Sequence, residues 1–251
     1  MKGTVGFATC VCAMVLALAA AADPKGKKLD LFWTSPEMAH IALRSMALLP
    51  AASFDNDYKV EKEIEVAWGP LARTTAYRWY YSTMSKDLLR RAFGGDSVLA
   101  VVRKSLLKDA RVDSLTARAL CAAIHTSAVF TIRVDHWEQI EMEWNQTGKP
   151  STTVELKAAL VDSSGRLLWT AAGSETGEGP MHNADSGTLG VKSSGLGTEP
   201  VTGQGGAPAF QEVLAPLFTR WMASFPGRPA SPAPAAPAPT PPGTPGTPGG
   251  N

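Results

Sequence analysis

The sequence predicts an α/β fold in which a mixed sheet with an antiparallel meander packs against helices in a single domain. Three observations predict it. Apolar and polar residues alternate over residues 128–171, as in strands with one buried face. Apolar residues recur at helical spacing in 114–124 and 210–221. Without a leader and a Pro-rich tail, about 200 residues remain, which is enough for one core.

Residues 1–22 have the layout of a secretory signal peptide. Lys2 is followed by an apolar run and then by a block of alanines before Asp23. The apolar run is shorter than the ~20 residues that span a bilayer. We therefore expect a soluble protein that is exported to the periplasm or secreted, and an N-terminal leader over residues 23–38.

Composition limits the classes of partner. Lys2 is the only charged residue of 1–22, so the remaining chain carries 23 basic and 23 acidic residues. A balanced chain has no broad electrostatic reason to bind nucleic acid. The basic cluster at 25–28 is compatible with a weak contact with a membrane surface. Cys121 is the one cysteine after the signal peptide, and no cysteine is well placed for a lipid.

The first half of the folded region alternates between predicted strands and helices. Residues 39–52 predict a strand that ends at Pro50, because proline cannot continue a ladder. Alternation over 58–68 predicts a second strand. Helical spacing predicts a helix from Thr74–Thr75 to Gly94–Gly95, and another over 114–124 capped by Asp113 or Ser114. Residues 97–102 fit a strand or the start of a helix.

The second half opens with the three-stranded meander over 128–171, with a turn at 162–165. A flexible Gly-rich loop is expected over 173–207. The closing helix begins after Pro208, and Pro216 should kink it. Residues 226–251 are rich in Pro, Ala and Gly and predict a disordered tail.

Three segments resemble a group of bacterial envelope proteins. They are SMALLPAA (45–52), VELKAALVDSSGRLLWTAAG (154–173) and AFQEVLAPLFTRWMASFP (209–226). The group includes the curli secretion lipoprotein, the lipoprotein activators of penicillin-binding proteins and related lipoproteins. The resemblance covers about residues 39–225 and implies an α/β sandwich, a periplasmic location and a non-enzymatic role.

The role that the resemblance implies is binding to another envelope protein, whose identity the sequence does not give. An oligomeric secretion or pore subunit is the first alternative. An envelope enzyme that uses Cys121 and His125 is the second, since residues four apart on a helix share a face. The apolar surroundings of Cys121 instead favour a buried structural cysteine.

The remaining motifs predict no catalytic, cofactor or metal residues. His125, Asp135, His136 and Glu138 lack the spacing of zinc ligands. A phosphate-binding loop and a nucleophile elbow are also missing from the sequence. Trp137, Trp144 and Trp169 flank the meander and are either core residues or binding anchors. Binding through a sheet edge or the Gly-rich loop is the simplest expectation.

Overall fold

A computed structural model of the chain describes residues 30–55, 58–143, 146–181 and 206–227. The predicted signal peptide, almost all of the predicted tail and residues 182–205 of the predicted Gly-rich loop lie outside the described residues. Among the described helices, none is long and apolar enough to cross a membrane.

The described elements follow one another in a mixed order of strands and helices. They are β1 (Leu31–Thr34), a short 3-10 helix (Pro36–His40), β2 (Ser45–Leu48), β3 (Ala52–Ser53), α1 (Tyr58–Ala72), β4 (Arg78–Tyr80), α2 (Ser82–Phe93), α3 (Ser97–Asp109), α4 (Ser114–Ile124), β5 (Ala128–Ile140), β6 (Ser151–Asp162), β7 (Leu167–Glu178) and α5 (Phe210–Ser224).

The seven strands form one mixed sheet in the order β1-β7-β6-β5-β2-β4, with β3 beside β5. β5, β6 and β7 form the predicted antiparallel meander. β2 runs parallel to both β5 and β4, and β1 pairs antiparallel with β7. The predicted α/β fold class, a mixed sheet packed against helices in a single domain, is confirmed.

One face of the sheet, the α1/α5 face, is packed against α1 and α5. Its core is aromatic: the ring of Trp68 stacks on Phe130 with centroids 4.7 Å apart, and Phe218 meets Trp68 edge-on at 5.2 Å. Trp169 and Trp221 are fully buried in the same cluster. This face is covered from β5 to β7.

The opposite face, the α2–α4 face, is packed against α2, α3 and α4. These helices lie over β2, β3, β5 and part of β6. The buried residues there are smaller and mostly aliphatic, including Leu89, Leu106, Leu120 and Val129. The helices stop before β7 and β1, so the two faces are covered to different extents.

The strand predicted over 58–68 is wrong, because these residues belong to α1. Val60, Ile64 and Trp68 recur every four residues as well as every two, and all three are buried along one side of the helix. Val66, which the alternation placed with them, is 45% exposed. A spacing of four residues fits both the two-residue period of a strand and the 3.6-residue period of a helix, so the pattern was ambiguous.

The helix predicted from Thr74–Thr75 begins later, at Ser82, and β4 precedes it. The Thr74 hydroxyl donates to the Leu71 carbonyl at 2.7 Å, and Thr75 does the same to Ala72. These threonines therefore close α1. The predicted end is confirmed, since Gly94 caps α2 with φ 71°.

Two predicted boundaries also shift at the meander. β7 continues to Glu178, so the first residues of the predicted 173–207 loop are strand. The predicted leader over 23–38 contributes β1 to the sheet.

Residues 97–102 form the start of α3, and α4 runs over Ser114–Ile124 with Asp113 as its cap, as predicted.

Candidate functional site

The structure does not bring Cys121 and His125 together as a catalytic pair. Cys121 is 1% exposed on the buried side of α4, and burial, followed by the nearby charge of Asp162, raises the pKa of its thiol to about 12. His125 is exposed at the end of α4 with φ 57°. The backbone N–H of His125 bonds to the carbonyls of Ala122 and Cys121 as the cap of α4, but within the described ranges no hydrogen bond joins the two side chains. A nucleophilic thiol needs a lowered pKa, so this geometry is that of a structural cysteine.

The histidine and carboxylates at the end of β5 are also separate groups. His136 Nε2 lies 3.2 Å from Glu138 Oε2 on the exposed part of the strand. Asp135 instead faces Arg133 and Lys157. The part of the chain that the structure describes holds no group of three His, Cys, Asp or Glu side chains that could bind a metal ion.

Asp135 is the centre of a partly buried ion network. Its carboxylate accepts from Arg133 Nε at 2.6 Å and lies 2.8 Å from Lys157 Nζ. Burial by itself would raise the pKa of Asp135, but the hydrogen bonds from Arg133 and Lys157 outweigh burial and lower it. Arg133 also donates to the carbonyl of Leu107, 3.2 Å away. The network therefore fastens the end of α3 to the sheet.

Asp162 performs a similar structural task in the turn between β6 and β7. Its Oδ1 accepts from the backbone N–H groups of Ser164 and Arg166 at 2.9 and 2.8 Å. Gly165 in this turn has φ 83°, and a side chain there would collide with the backbone of Ser114. The Ser114 hydroxyl donates to the Gly165 carbonyl at 2.7 Å, which ties the turn to α4.

The tryptophans singled out from the sequence are not free binding anchors. Trp169 is fully buried, and its Nε1 donates to the Ser224 carbonyl at 3.2 Å. Trp137 is half-buried and stacks on Phe210 with centroids 4.1 Å apart. Trp144 lies outside the described residues.

A different tryptophan, Trp33, is exposed on β1. Leu31, Phe32 and Trp33 are 58%, 42% and 45% exposed, and they occupy consecutive positions of a strand at the edge of the sheet. Sequence reasoning missed them because they fell within the predicted leader. The sequence held only a weak signal, an apolar run over Leu31, Phe32 and Trp33 that ends before Pro36.

β1 is held firmly although its side chains are exposed. Leu31 pairs with Ala172 and Trp33 with Thr170. Ser35, the residue that follows β1, donates its N–H to the Leu168 carbonyl at 2.8 Å. Immediately before β1, the Asp30 carboxylate lies 2.5 Å from Arg220 Nε of α5.

The contact between Asp30 and Arg220 is part of a bridge from β1 to α5. Arg220 also reaches Glu175 of β7 at 2.6 Å. The hydrogen bond to Asp30, followed by that to Glu175, raises the pKa of Arg220 against the effect of burial. Gly173 leaves the space that the Asp30 carboxylate occupies. The exposed strand is therefore a fixed part of the sheet.

Beside β1, the α2–α4 face forms a hollow of about 410 Å³, which we call the β1 groove. Its outer wall is Leu31 and Trp33, which share this face with their partners Ala172 and Thr170. The inner wall is the end of α3 and the residues after it. The floor residues on β6 and β7 are Lys157, Ala159, Thr170 and Ala172, and the inner wall is formed by Asp109, Ala110 and Arg111.

A second hollow of about 580 Å³ adjoins the groove and shares Asp109 and Arg111 with it. It lies between the end of α3, the start of α4 and the β6–β7 turn. Its cations include Lys104 and Lys108. Together, the two hollows extend across the part of the sheet face that α2, α3 and α4 leave open.

Comparisons with known proteins give similarity in structure alone. No family model matches the chain, and no curated protein is significantly similar to it in sequence. Lipoprotein GNA1162 from Neisseria meningitidis is 19% identical, with 54% of this chain and 83% of that chain covered and a TM-score of 0.38.

Two further solved structures show similarity of the same order. The PelC dodecamer subunit from Paraburkholderia phytofirmans is 16% identical over 60% of this chain and 81% of that chain, with a TM-score of 0.36. The hypothetical protein CT253 from Chlamydia trachomatis is 11% identical over 73% and 98%, with a TM-score of 0.41. Similarity at this level does not assign a function.

Proposed function

We propose that this protein is a non-catalytic accessory protein of the cell envelope that binds another envelope component through the β1 groove. The observation that carries the proposal is the exposed pair Leu31 and Trp33, which share one face of a fixed edge strand. The envelope location rests on the signal-peptide layout of residues 1–22 and on the resemblance of residues 39–225.

The exposed Trp33 beside Leu31 on one face of the strand favours a binding surface over an ordinary patch of protein surface. Trp and Phe are enriched at the centres of protein interfaces, where they bury a large area with little loss of side-chain entropy. An edge strand that carries such side chains is a hazard for aggregation unless something covers it. Binding of a partner would cover Trp33 and the exposed edge strand.

A binding role also agrees with the state of the chemically reactive side chains. Cys121 is buried with a raised pKa, and Asp135 and Asp162 hold structural hydrogen bonds. The residues that line the β1 groove include no serine, cysteine or histidine. These contacts support binding over catalysis as the use of the groove.

The test is capture from cross-linked envelopes with matched variants. We expect the wild-type chain to capture a discrete partner and Trp33→Ala to lose it. Phe93→Ala is the control, since Phe93 is 43% exposed, close to the 45% of Trp33, but lies at the end of α2. Equal capture by all three proteins would contradict the proposal.

An oligomeric secretion subunit is the second candidate, and the open edge of β1 favours it. Ser35 bonds to β7, and residues alternate along an antiparallel ladder, so the backbone groups of Phe32 and Thr34 point to the open edge. Another copy could pair there. Light scattering of the purified chain tests this: a Phe32→Pro variant should become monomeric if β1 edges pair, because proline removes a donor.

A further inference from the structure

The β1 groove lies on the part of the α2–α4 face that a further helix would be expected to cover. α1 and α5 cover the opposite face as far as β7, whereas α2, α3 and α4 leave β7 and β1 open on this face. Sheets of this class normally bury both faces under helices. The small residues Ala159, Thr170 and Ala172 on the floor leave room for a segment to lie close to the sheet.

The backbone of the floor selects the kind of segment. β6 and β7 are each paired on both sides, β6 with β5 and β7, and β7 with β6 and β1. The floor therefore has no free row of backbone donors and acceptors for an added strand. A segment bound there must satisfy its own backbone groups, which an α-helix does.

Charge at the inner wall selects the chemistry of that helix. Lys157 is bound to Asp135, and Lys108 lies 3.9 Å from Asp109. Lys104 and Arg111 are exposed and have no ion-pair partner among the described residues. Arg111 lines the groove together with Leu31 and Trp33, and Lys104 lines the adjoining hollow. The groove thus has an apolar side at Leu31 and Trp33, and on the other side Arg111 and the cations of the adjoining hollow.

We infer that the β1 groove binds an amphipathic helix of a partner protein, with apolar residues toward Leu31 and Trp33 and carboxylates toward Arg111 and Lys104. This inference rests on the proposed function and names the partner's chemistry. Helices bind grooves in this way in other proteins through apolar residues at helical spacing. Two free cations beside the groove favour an acidic helix over a basic one.

The experiment uses designed peptides as probes of the full chain. One peptide of about 15 residues has an apolar stripe flanked by Glu, and its twin has Lys at the same positions. A third peptide has the same composition as the first but no stripe. By fluorescence anisotropy, we expect the Glu peptide to bind at least about tenfold more tightly than the other two.

A charge exchange on the protein makes the test specific. The double variant Lys104→Glu/Arg111→Glu should reverse the preference and bind the Lys peptide more tightly. Lys62→Glu/Arg73→Glu is the control, because both residues are exposed cations on α1 or just after it, near the other face. The control should keep the preference of the wild type, and Trp33→Ala should weaken binding of both peptides.

Several results would overturn the inference. These are equal binding of all three peptides, an unchanged preference in the charge-exchanged variant, or binding to vesicles with phosphatidylglycerol that depends on Trp33 while the peptides do not bind. If the peptides fail but Trp33→Ala still loses capture from envelopes, the proposed function stands without the helix. If capture is also unchanged, both are wrong.

Discussion

The two faces of the sheet differ most over β6 and β7, where the same strands present opposite kinds of side chain. Toward α1 and α5 they present Leu156, Leu160 and Trp169, all fully buried. Toward the other side they present Lys157, Ala159, Thr170 and Ala172, which line an open groove. Large apolar residues are found where a described helix covers the sheet, and small or polar residues are found where no helix of the described residues does.

The comparison shows that the uncovered area is a property of the sequence and not a gap in packing. A sheet face that needed a permanent helix would carry large apolar residues along its floor. Here the apolar residues of the open half are concentrated on the edge strand, in Leu31 and Trp33. Such a surface stays soluble when empty and still offers anchors to a partner.

Among the variants proposed, a substitution in the core of the α1/α5 face should destabilise the protein most. Trp221→Ala should lower the free energy of unfolding by about 3–5 kcal/mol, because the ring is fully buried against Trp169 and Phe218. Trp33→Ala, on the open face, should change it by less than about 1 kcal/mol. Urea titration of both variants measures the difference. Equal losses would mean that Trp33 is packed as tightly as the core.

The second effect concerns the turn that joins β6 to β7, next to the open part of the α2–α4 face. Burial would raise the pKa of Asp162, but hydrogen bonds from Ser164 and Arg166 outweigh it and lower the pKa. A lowered carboxyl pKa stabilises the fold above the unfolded value of about 3.9, and this stability is lost as pH falls through the folded value.

Asp162→Asn should therefore be less stable than the wild type at neutral pH, by about 1–3 kcal/mol. The difference should shrink as the pH falls below about 4. Urea titrations over a pH series measure it, and Asp109→Asn, an exposed carboxylate on α3, is the control. A difference independent of pH would show that the charge of Asp162 contributes nothing.

A smaller effect is expected at the end of α4. His125 adopts φ 57°, a conformation that favours glycine. His125→Gly should stabilise the protein by about 0.5–1 kcal/mol, measured by thermal or urea unfolding. A destabilised His125→Gly protein would show that the imidazole makes a contact that matters to the fold.

The smallest expected effect is at Cys121. Because the thiol is buried and its pKa is raised to about 12, iodoacetamide should not label the native protein at mildly alkaline pH. Labelling should appear only as urea unfolds the chain, and Cys121→Ala should keep partner capture. Rapid labelling of the native thiol would support the enzyme alternative.

Much of the fold could be predicted because its periods were clear. The meander and α4 have long, consistent patterns and a recognisable cap at Asp113, and both are confirmed. The pattern of residues 58–68 failed because Val60, Ile64 and Trp68 satisfy both periods. Only packing against Phe130 and Phe218 decides that these residues form a helix.

The candidate site was harder to predict than the fold. Short strands carry little periodic signal, and β1 has four residues. Its place beside β7 depends on pairing with a partner about 140 residues away in the chain, which no local pattern reports. Exposure of Trp33 could not be read from its residue type, since the tryptophans of the same sheet at 137 and 169 are partly or fully buried.

The open half of the α2–α4 face is, on our proposal, a binding surface. The most direct test places a photo-cross-linking amino acid at position 33 or, as a control, at position 93 of the chain in its own envelope. We predict one discrete adduct from position 33 and none from position 93. No adduct from position 33, or the same adducts from both positions, would contradict the claim.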